Sequence, residues 1–94
     1  MKGETQFKEW LAPRLKIIPY SYFIKTQMLA LVGVPDFLGC VRGRFVAIEL
    51  KKDKETKPSK LQRYVLEQIR RAGGYGFVAY PENAKKILSK IERI

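Results

Sequence analysis

The sequence predicts a mixed α/β fold, with a sheet of about four strands and helices packed on it. Two observations predict this class. Apolar residues recur at helical spacing near both ends of the chain and after residue 59. Two β-rich segments between residues 36 and 51 flank a two-residue turn, and a third lies at 75–80, between two of the helices. The resulting order, α-β-β-β-α-β-α over 94 residues, corresponds to one domain spanning 1–94.

The first third of the chain predicts a helix followed by a strand. The helix covers about 4–12, and Pro13 should end or kink it. The apolar residues that recur at helical spacing are Phe7, Trp10, Leu11 and Leu15. Residues 17–27, rich in Tyr, Phe and Ile, indicate a strand that starts near Pro19. Residues 28–34 indicate a connection.

The centre of the chain predicts a β-hairpin. Its strands cover 36–41 and 44–51, and Arg42-Gly43 forms the tight turn between them. A turn of three residues or a bulge at Gly39 would change the pairing, so these alternatives stay open. The polar loop that follows, 52–58, ends the hairpin unit.

The last third predicts a helix, a strand and a second helix. The first helix covers about 60–72, with Ser59 as its N-cap and a Gly-Gly pair after its end. Its apolar stripe consists of Leu61, Val65, Ile69 and Ala72. The strand covers 75–80, and the last helix covers about 81–93. The residues of that last helix expected to face inward are Ala84, Ile87, Leu88 and Ile91.

The composition excludes several function classes. The chain has no His and one Cys, which excludes an ordinary zinc site and Ser-His or Cys-His catalysis. Any catalysis must therefore depend on carboxylates, lysines and a hard divalent cation. We expect Cys40 to be buried and inert. No run of 18 apolar residues or secretory leader is present, so we expect a cytoplasmic protein without a membrane partner.

The charge indicates a polyanionic partner. Nineteen Lys and Arg against nine Asp and Glu give a net charge of +10. Nucleic acid is the first candidate, an anionic membrane surface the second, and simple solubility the third explanation. The cations cluster in the loop and helix start after residue 51. The residues that we expect to bind nucleic acid there are Lys52, Lys54, Lys57, Lys60 and Arg63.

The hairpin register brings two carboxylates together. With Arg42-Gly43 as the turn, Asp36 faces Glu49, and Lys51 lies on the same face of the sheet. Opposed carboxylates destabilise a sheet unless a cation lies between them. Both side chains, the backbone carbonyl of Leu50 and waters could complete a Mg²⁺ site for phosphodiester hydrolysis. The alternative is a surface ion pair between Glu49 and Lys51 at a strand end.

At these residues the sequence resembles the PD-(D/E)XK nuclease superfamily, and within it the VRR-NUC branch of small stand-alone phage or bacterial proteins. The segments that carry the resemblance are Gly33-Val-Pro-Asp36, Ile48-Glu-Leu-Lys51, Pro58-Ser-Lys-Leu-Gln62 and Ala72-Gly-Gly. A second E-x-K, Glu55-Thr-Lys57, lies in the predicted loop without a partner strand, and we discard it. The Val-Arg-Arg motif that gives the branch its name is not intact here. The resemblance implies a restriction-endonuclease-like core, α-β-β-β-α-β plus a C-terminal helix, with a central mixed sheet and flanking helices.

The resemblance also implies roles for individual residues. Asp36 and Glu49 would bind Mg²⁺ or Mn²⁺, and Lys51 would be the catalytic lysine. Gln62 would correspond to the helix-borne glutamine of the family, which supports the site or contacts the nucleic acid backbone. Glu4 would correspond to the glutamate of the first helix, which reaches the metal through water. By the same resemblance, Lys25 near the end of the first strand is expected to contact phosphate.

Two of these residues have a purely structural alternative. Ser59 and Gln62 form a capping box, in which each side chain hydrogen-bonds the backbone N–H of the other residue. Glu4 is also an acidic residue in the first turn of a helix, where the helix dipole favours it.

Three functional hypotheses remain. The first is a metal-dependent, structure-selective nuclease that cleaves branched DNA such as a Holliday junction or a flap, as known members of the branch do. The second is a non-catalytic nucleic-acid-binding domain of the same fold. The third is a small basic RNA-binding protein that needs no metal. The resemblance further implies a homodimer, to which we expect the apolar residues of 17–31 to contribute.

Overall fold

The computed structural model describes residues 3–27 and 32–94, and within them the chain forms three helices and four strands. The helices are α1 (Gly3–Lys16), α2 (Lys60–Arg71) and α3 (Ala84–Glu92), and the strands are β1 (Ser21–Lys25), β2 (Phe37–Val41), β3 (Arg44–Leu50) and β4 (Tyr75–Ala79). The sheet has the order β1-β2-β3-β4. The first three strands are antiparallel, and β4 runs parallel to β3 because α2 crosses over between them. The predicted mixed α/β fold class is confirmed.

The hairpin forms with the predicted register. Val41 pairs with Arg44 and Phe37 pairs with Ile48, and Gly39 pairs regularly, without a bulge. Arg42 and Gly43 both have positive φ, 47° and 83°. Such values give a two-residue turn whose twist matches that of the strands. The chain therefore adopts the predicted two-residue turn, and neither the three-residue turn nor the bulge at Gly39 forms.

The core lies on the side of the sheet that α1 and α3 cover. The side chains that meet there come from alternate positions of β2 and β3 and from the two helices. The fully buried members of this core include Phe7, Leu11, Leu15, Phe37, Val41, Val46, Ile48, Leu50 and Ile91. α2 lies on the opposite side, where it contacts β4 and β3 and buries Leu66.

The first helix and the first strand differ from their predicted limits. Pro13 lies inside α1, which continues to Lys16. Leu15 extends the buried stripe of Phe7 and Leu11 by one more turn, and its burial offsets the hydrogen bond that the proline removes. β1 covers Ser21–Lys25 instead of 17–27, because Tyr20 has a φ of 56° that interrupts the extended chain. In the predicted connection 28–34, residues 28–31 lie outside the described residues.

The second half differs in detail. The predicted stripe of α2 was wrong in part, because Leu61 is 44% exposed and Leu66 is the side chain that packs on the sheet. α3 begins at Ala84 instead of Pro81, after a turn in which the Asn83 side chain accepts a hydrogen bond from the Tyr80 N–H and donates to the Val78 carbonyl. Cys40, predicted to be buried, is exposed, because α2 lies over β3 and β4 and not over β2.

In the part of the chain that the structure describes, the helices are too short or too polar to cross a membrane.

Candidate functional site

The predicted carboxylate pair comes together at one end of the sheet. Asp36 immediately precedes β2, and Glu49 lies in β3, on the sheet face that α2 covers. The Glu49 side chain is almost fully buried, whereas Asp36 is about one quarter exposed. Burial, the negative charge of Asp36 and hydrogen bonding to Asp36 together raise the pKa of Glu49 from 4.5 to about 8. A cation bound between the two carboxylates would favour the charged form of Glu49 and lower that pKa.

Two further contacts hold Asp36. Its Oδ2 accepts a hydrogen bond of 2.8 Å from the backbone N–H of Leu50. Its Oδ1 lies 3.5 Å from the Nζ of Lys8 in α1. The first contact continues the β2–β3 ladder with a side chain and therefore sets where the carboxylate points.

Glu49 is held by a neighbouring lysine and by a glutamine from α2. Lys51 Nζ lies 3.7 Å from Glu49 Oε2, and Lys51 is itself mostly buried, with 13% of its side chain exposed. The Nε2 of Gln62 donates a hydrogen bond of 3.0 Å to the same Oε2. The lysine charge opposes the rise in the pKa of Glu49 but does not cancel it.

Gln62 forms the predicted helix cap and also contacts Glu49. Its Oε1 accepts from the Ser59 N–H at 2.8 Å, and the Ser59 hydroxyl accepts from the Gln62 N–H at 3.1 Å. This reciprocal pair is the capping box that starts α2. The remaining Nε2 reaches Glu49. The helix cap therefore also orients the carboxylate.

The start of α1 approaches the same place. Glu4 is exposed, and its negative charge contributes to the raised pKa of Glu49. Lys8 lies one turn further on and pairs with Asp36. Sequence reasoning missed Lys8. The available signal was its spacing of four residues from Glu4, which places both on one face of the helix.

The donor atoms suit a hard cation. The carboxylates of Asp36 and Glu49 supply oxygen, and the Leu50 carbonyl points to the same strand edge as its N–H, which bonds Asp36. Mg²⁺ prefers oxygen ligands and keeps several waters, so it needs few protein groups. Within residues 3–27 and 32–94, no three or more carboxylate, cysteine or histidine side chains lie close enough together to hold a metal.

The cations that were predicted to bind nucleic acid do not all lie together. Lys54, Lys57, Lys60 and Arg63 line a groove of about 760 Å³ beside α2. Lys52 is exposed, but it is not among the residues that line this groove. The loop is ordered by Asp53, whose Oδ1 accepts hydrogen bonds from the Thr56 hydroxyl and backbone and from the Glu55 N–H. These bonds lower the pKa of Asp53.

Lys25 lies apart from that groove, at the end of β1. It is the last residue of β1 and pairs with Phe37, and the next N–H, that of Thr26, donates to the Asp36 carbonyl. The side chain of Lys25 is exposed beside the strand end that carries Asp36.

Comparison with known proteins was made by sequence and by structure. No family model matches the sequence, and the search of curated proteins found no match. A solved structure titled "VRR_NUC domain" superposes with a TM-score of 0.77 and 26% sequence identity, over 92% of this chain and 94% of that one. The predicted resemblance to the VRR-NUC branch of the PD-(D/E)XK superfamily is confirmed by this match, and the fold is that of a VRR-NUC domain.

Proposed function

We propose that this chain, which has the fold of a VRR-NUC domain, is a metal-dependent, structure-selective DNA nuclease that hydrolyses phosphodiester bonds. The observation that carries the proposal is the buried Glu49 beside Asp36, with Lys51 and Gln62 on the same carboxylate. A buried carboxylate with a strongly raised pKa, next to a second carboxylate, costs stability unless it serves a bound cation.

Asp36, Glu49 and the Leu50 carbonyl are the groups that would hold Mg²⁺ or Mn²⁺. When bound, such a cation stabilises negative charge on a phosphoryl oxygen and makes water a better nucleophile. Glu4 is exposed at the start of α1 and would reach the cation through water.

The chain's own residues supply position and charge. Lys51 places an ammonium group beside the carboxylates, where it can hold an attacking water or stabilise the charge that develops on the phosphate. Gln62 fixes the orientation of Glu49 through Nε2, and the Leu50 N–H fixes Asp36. Lys25, Lys52, Lys54, Lys57, Lys60 and Arg63 would hold the DNA backbone by neutralising phosphates.

A branched substrate, such as a four-way junction or a flap, is proposed from the resemblance to the VRR-NUC branch. A homodimer is proposed with it, since a two-fold axis would present two sites to two strands. The exposed apolar residues of the predicted segment 17–27 support an interface there: Ile17, Tyr20, Tyr22 and Ile24.

The sheet face beside β1 supplies further apolar surface for that interface. Tyr22, Ile24, Leu38, Cys40 and Phe45 line a shallow apolar depression of about 290 Å³, which we call the β1 face. Light scattering should give the mass of a dimer, and Tyr22→Asp should shift it to that of a monomer. A monomer of the unchanged chain at all concentrations would contradict the dimer and favour a flap or end substrate.

The cleavage test uses labelled four-way junction, flap and linear duplex DNA, each with Mg²⁺, Mn²⁺ or EDTA. We expect cleavage of branched DNA with metal and none in EDTA. Asp36→Asn should lower the rate by about 100-fold or more, since it removes a cation ligand from the reacting centre. The ratio of branched to linear cleavage measures structure selectivity.

The alternative is a non-catalytic nucleic-acid-binding domain of the same fold. Tight binding of branched DNA without cleavage in either metal would favour it. Binding of RNA that is indifferent to EDTA, again without cleavage, would favour the third hypothesis, a small RNA-binding protein.

A further inference from the structure

A groove beside α2 extends away from the carboxylates. It has a volume of about 760 Å³ and lies between α2, the loop after β3, and β4. We call it the α2 groove. Its lining residues combine cations from the loop and the helix with the aromatic rings of Tyr64 and Tyr80 and the apolar side chains of Leu66, Val78 and Pro58. This mixture differs from the predicted patch of loop lysines, which is purely charged.

The charge of the α2 groove is strongly positive. Its cations are Lys54, Lys57, Lys60, Arg63, Arg70 and Arg71, and its acidic lining residue is Glu67. Glu67 lies 3.5–3.8 Å from Arg70 and Arg71, but these pairs are largely exposed and hold their members weakly. Arg70 is anchored by two hydrogen bonds to the Gly76 carbonyl. Arg71, with 72% of its side chain exposed, can turn toward a ligand.

The aromatic rings select among polyanions. Tyr64 is 61% exposed on α2 and presents its ring to solvent next to Arg63. A paired base shows no ring face to a protein, whereas an unpaired base stacks on an aromatic side chain. An exposed tyrosine within a cationic groove is therefore suited to a single strand and has little to contact on an intact duplex.

The α2 groove and the candidate site share the first turn of α2. Lys60 and Arg63 flank Gln62, which bonds Glu49. From Lys60 to Arg71 the helix rises roughly 16 Å, at about 1.5 Å per residue. That length corresponds to about five nucleotides of a stacked strand at 3.4 Å each. A DNA strand bound in this groove would run along α2, away from the carboxylates.

We propose that the α2 groove binds the unpaired DNA strand of a branched substrate, with Tyr64 stacking on a base and Arg71 on a phosphate at the far end. This inference rests on the proposed function, and it specifies the substrate as DNA with a single-stranded arm. The unpaired arm then orients the duplex so that its junction lies at Asp36 and Glu49.

The test measures binding in EDTA, so that cleavage plays no part. Fluorescence anisotropy compares a flap with a single-stranded arm, the same duplex without the arm, and the free arm. We expect the flap to bind at least about fivefold tighter than the arm-less duplex. Tyr64→Leu should weaken flap and free-arm binding by about tenfold, within the range for one stacked base, and change duplex binding less than twofold. Tyr64→Trp, which keeps an aromatic ring at this position, should bind the flap and the free arm as tightly as the unchanged chain does.

Matched variants separate the α2 groove from general effects. Tyr20→Leu removes a tyrosine that is 78% exposed near the opposite edge of the sheet, in the proposed dimer interface, and we expect it to leave the ratio of flap to duplex binding unchanged. Arg71→Gln should weaken flap binding and reduce its salt slope by about one, whereas Arg44→Gln, at the hairpin, should affect the flap and the duplex alike. Thermal unfolding of each variant checks that it is folded.

The outcomes distinguish this inference from the function on which it rests. Equal binding of flap and arm-less duplex, or equal effects of Tyr64→Leu and Tyr20→Leu, would overturn the inference even if the protein cleaves DNA. A flap preference lost in Tyr64→Leu, combined with no cleavage in any metal, would retain the inference for the non-catalytic alternative and overturn the nuclease.

Discussion

The two faces of β3 differ although they are built from adjacent residues. Ile48 and Leu50 are fully buried against the core formed with α1 and α3. Glu49, between them, is 3% exposed on the opposite face, under α2. Burial stabilises the first two residues and destabilises the charged form of the third, which is why the pKa of Glu49 rises to about 8. One strand thus separates the residues that hold the fold from those that form the candidate site.

Stability and chemistry conflict at Glu49 but not at its two neighbours in β3. On the core face, a smaller side chain leaves a cavity and costs stability. On the site face, removing the charge should increase stability, because the folded chain keeps a carboxylate in a buried place that disfavours its charged form. Substitutions at neighbouring positions should therefore change unfolding in opposite directions.

The largest expected effect is on the core face. Ile48→Ala should lower the free energy of unfolding by about 2–5 kcal/mol, because it removes a fully buried side chain from the core. Leu38→Ala, on the partly exposed β1 face, should cost less than half as much. Urea unfolding followed by circular dichroism measures both. If both variants lost the same free energy of unfolding, the β1 face would be buried in solution to the same extent as the core face.

A substitution at the neighbouring residue, Glu49, is expected to increase stability. Glu49→Gln should raise the melting temperature without metal at pH 8 by about 4 °C or more, the shift that about 1 kcal/mol gives in a domain of this size. Its amide keeps an oxygen that can accept from Gln62, so the neighbouring cap is preserved. A fall in melting temperature at pH 8 would mean that the carboxylate stabilises the fold.

The pH dependence sharpens that prediction. The pKa of Glu49 is higher in the folded chain than its ordinary value of 4.5, so the folded state binds more protons between about pH 4.5 and 8. The contribution of Glu49 to stability is therefore full below about pH 4.5 and is lost as the pH rises through about 8. Unfolding measured across this range should show a decline for the unchanged chain that is absent in Glu49→Gln. Parallel curves would contradict the raised pKa.

The smallest effect separates the two roles of Gln62. Ser59→Ala removes a helix cap and should cost about 1 kcal/mol while leaving the bond from Gln62 to Glu49 in place. Gln62→Ala should cost a similar amount of stability and also weaken metal binding by about 10–100-fold, because it frees Glu49. If both variants bound metal with equal affinity, Gln62 would act only as a helix cap and would not orient Glu49 for metal binding.

The sequence predicted the parts of the fold that local patterns determine. The turn at Arg42-Gly43 fixed the register of β2 and β3, and so brought Asp36 to Glu49. Ser59 and Gln62 marked the start of α2 correctly. These features depend on the spacing of residues close together in the chain.

Tertiary contacts determined what the sequence did not predict. Pro13 is retained within α1 because Leu15 packs into the core, and Cys40 is exposed because α2 does not extend over β2. Lys8 pairs with a carboxylate 28 residues away, and its spacing from Glu4 indicates the helix face that it shares but not this partner. The dual role of Gln62 likewise depends on where α2 packs against β3.

Calorimetric titration of Mn²⁺ into the unchanged chain and Asp36→Asn at pH 8 tests directly whether the carboxylate pair is a metal centre. If Asp36 and Glu49 form a metal centre, the unchanged chain binds Mn²⁺ and the variant loses that binding. The melting temperature of each protein, taken without metal, shows that both are folded. An absence of binding, or equal binding by both proteins, would contradict the assignment of the carboxylate pair as a metal-dependent hydrolytic site.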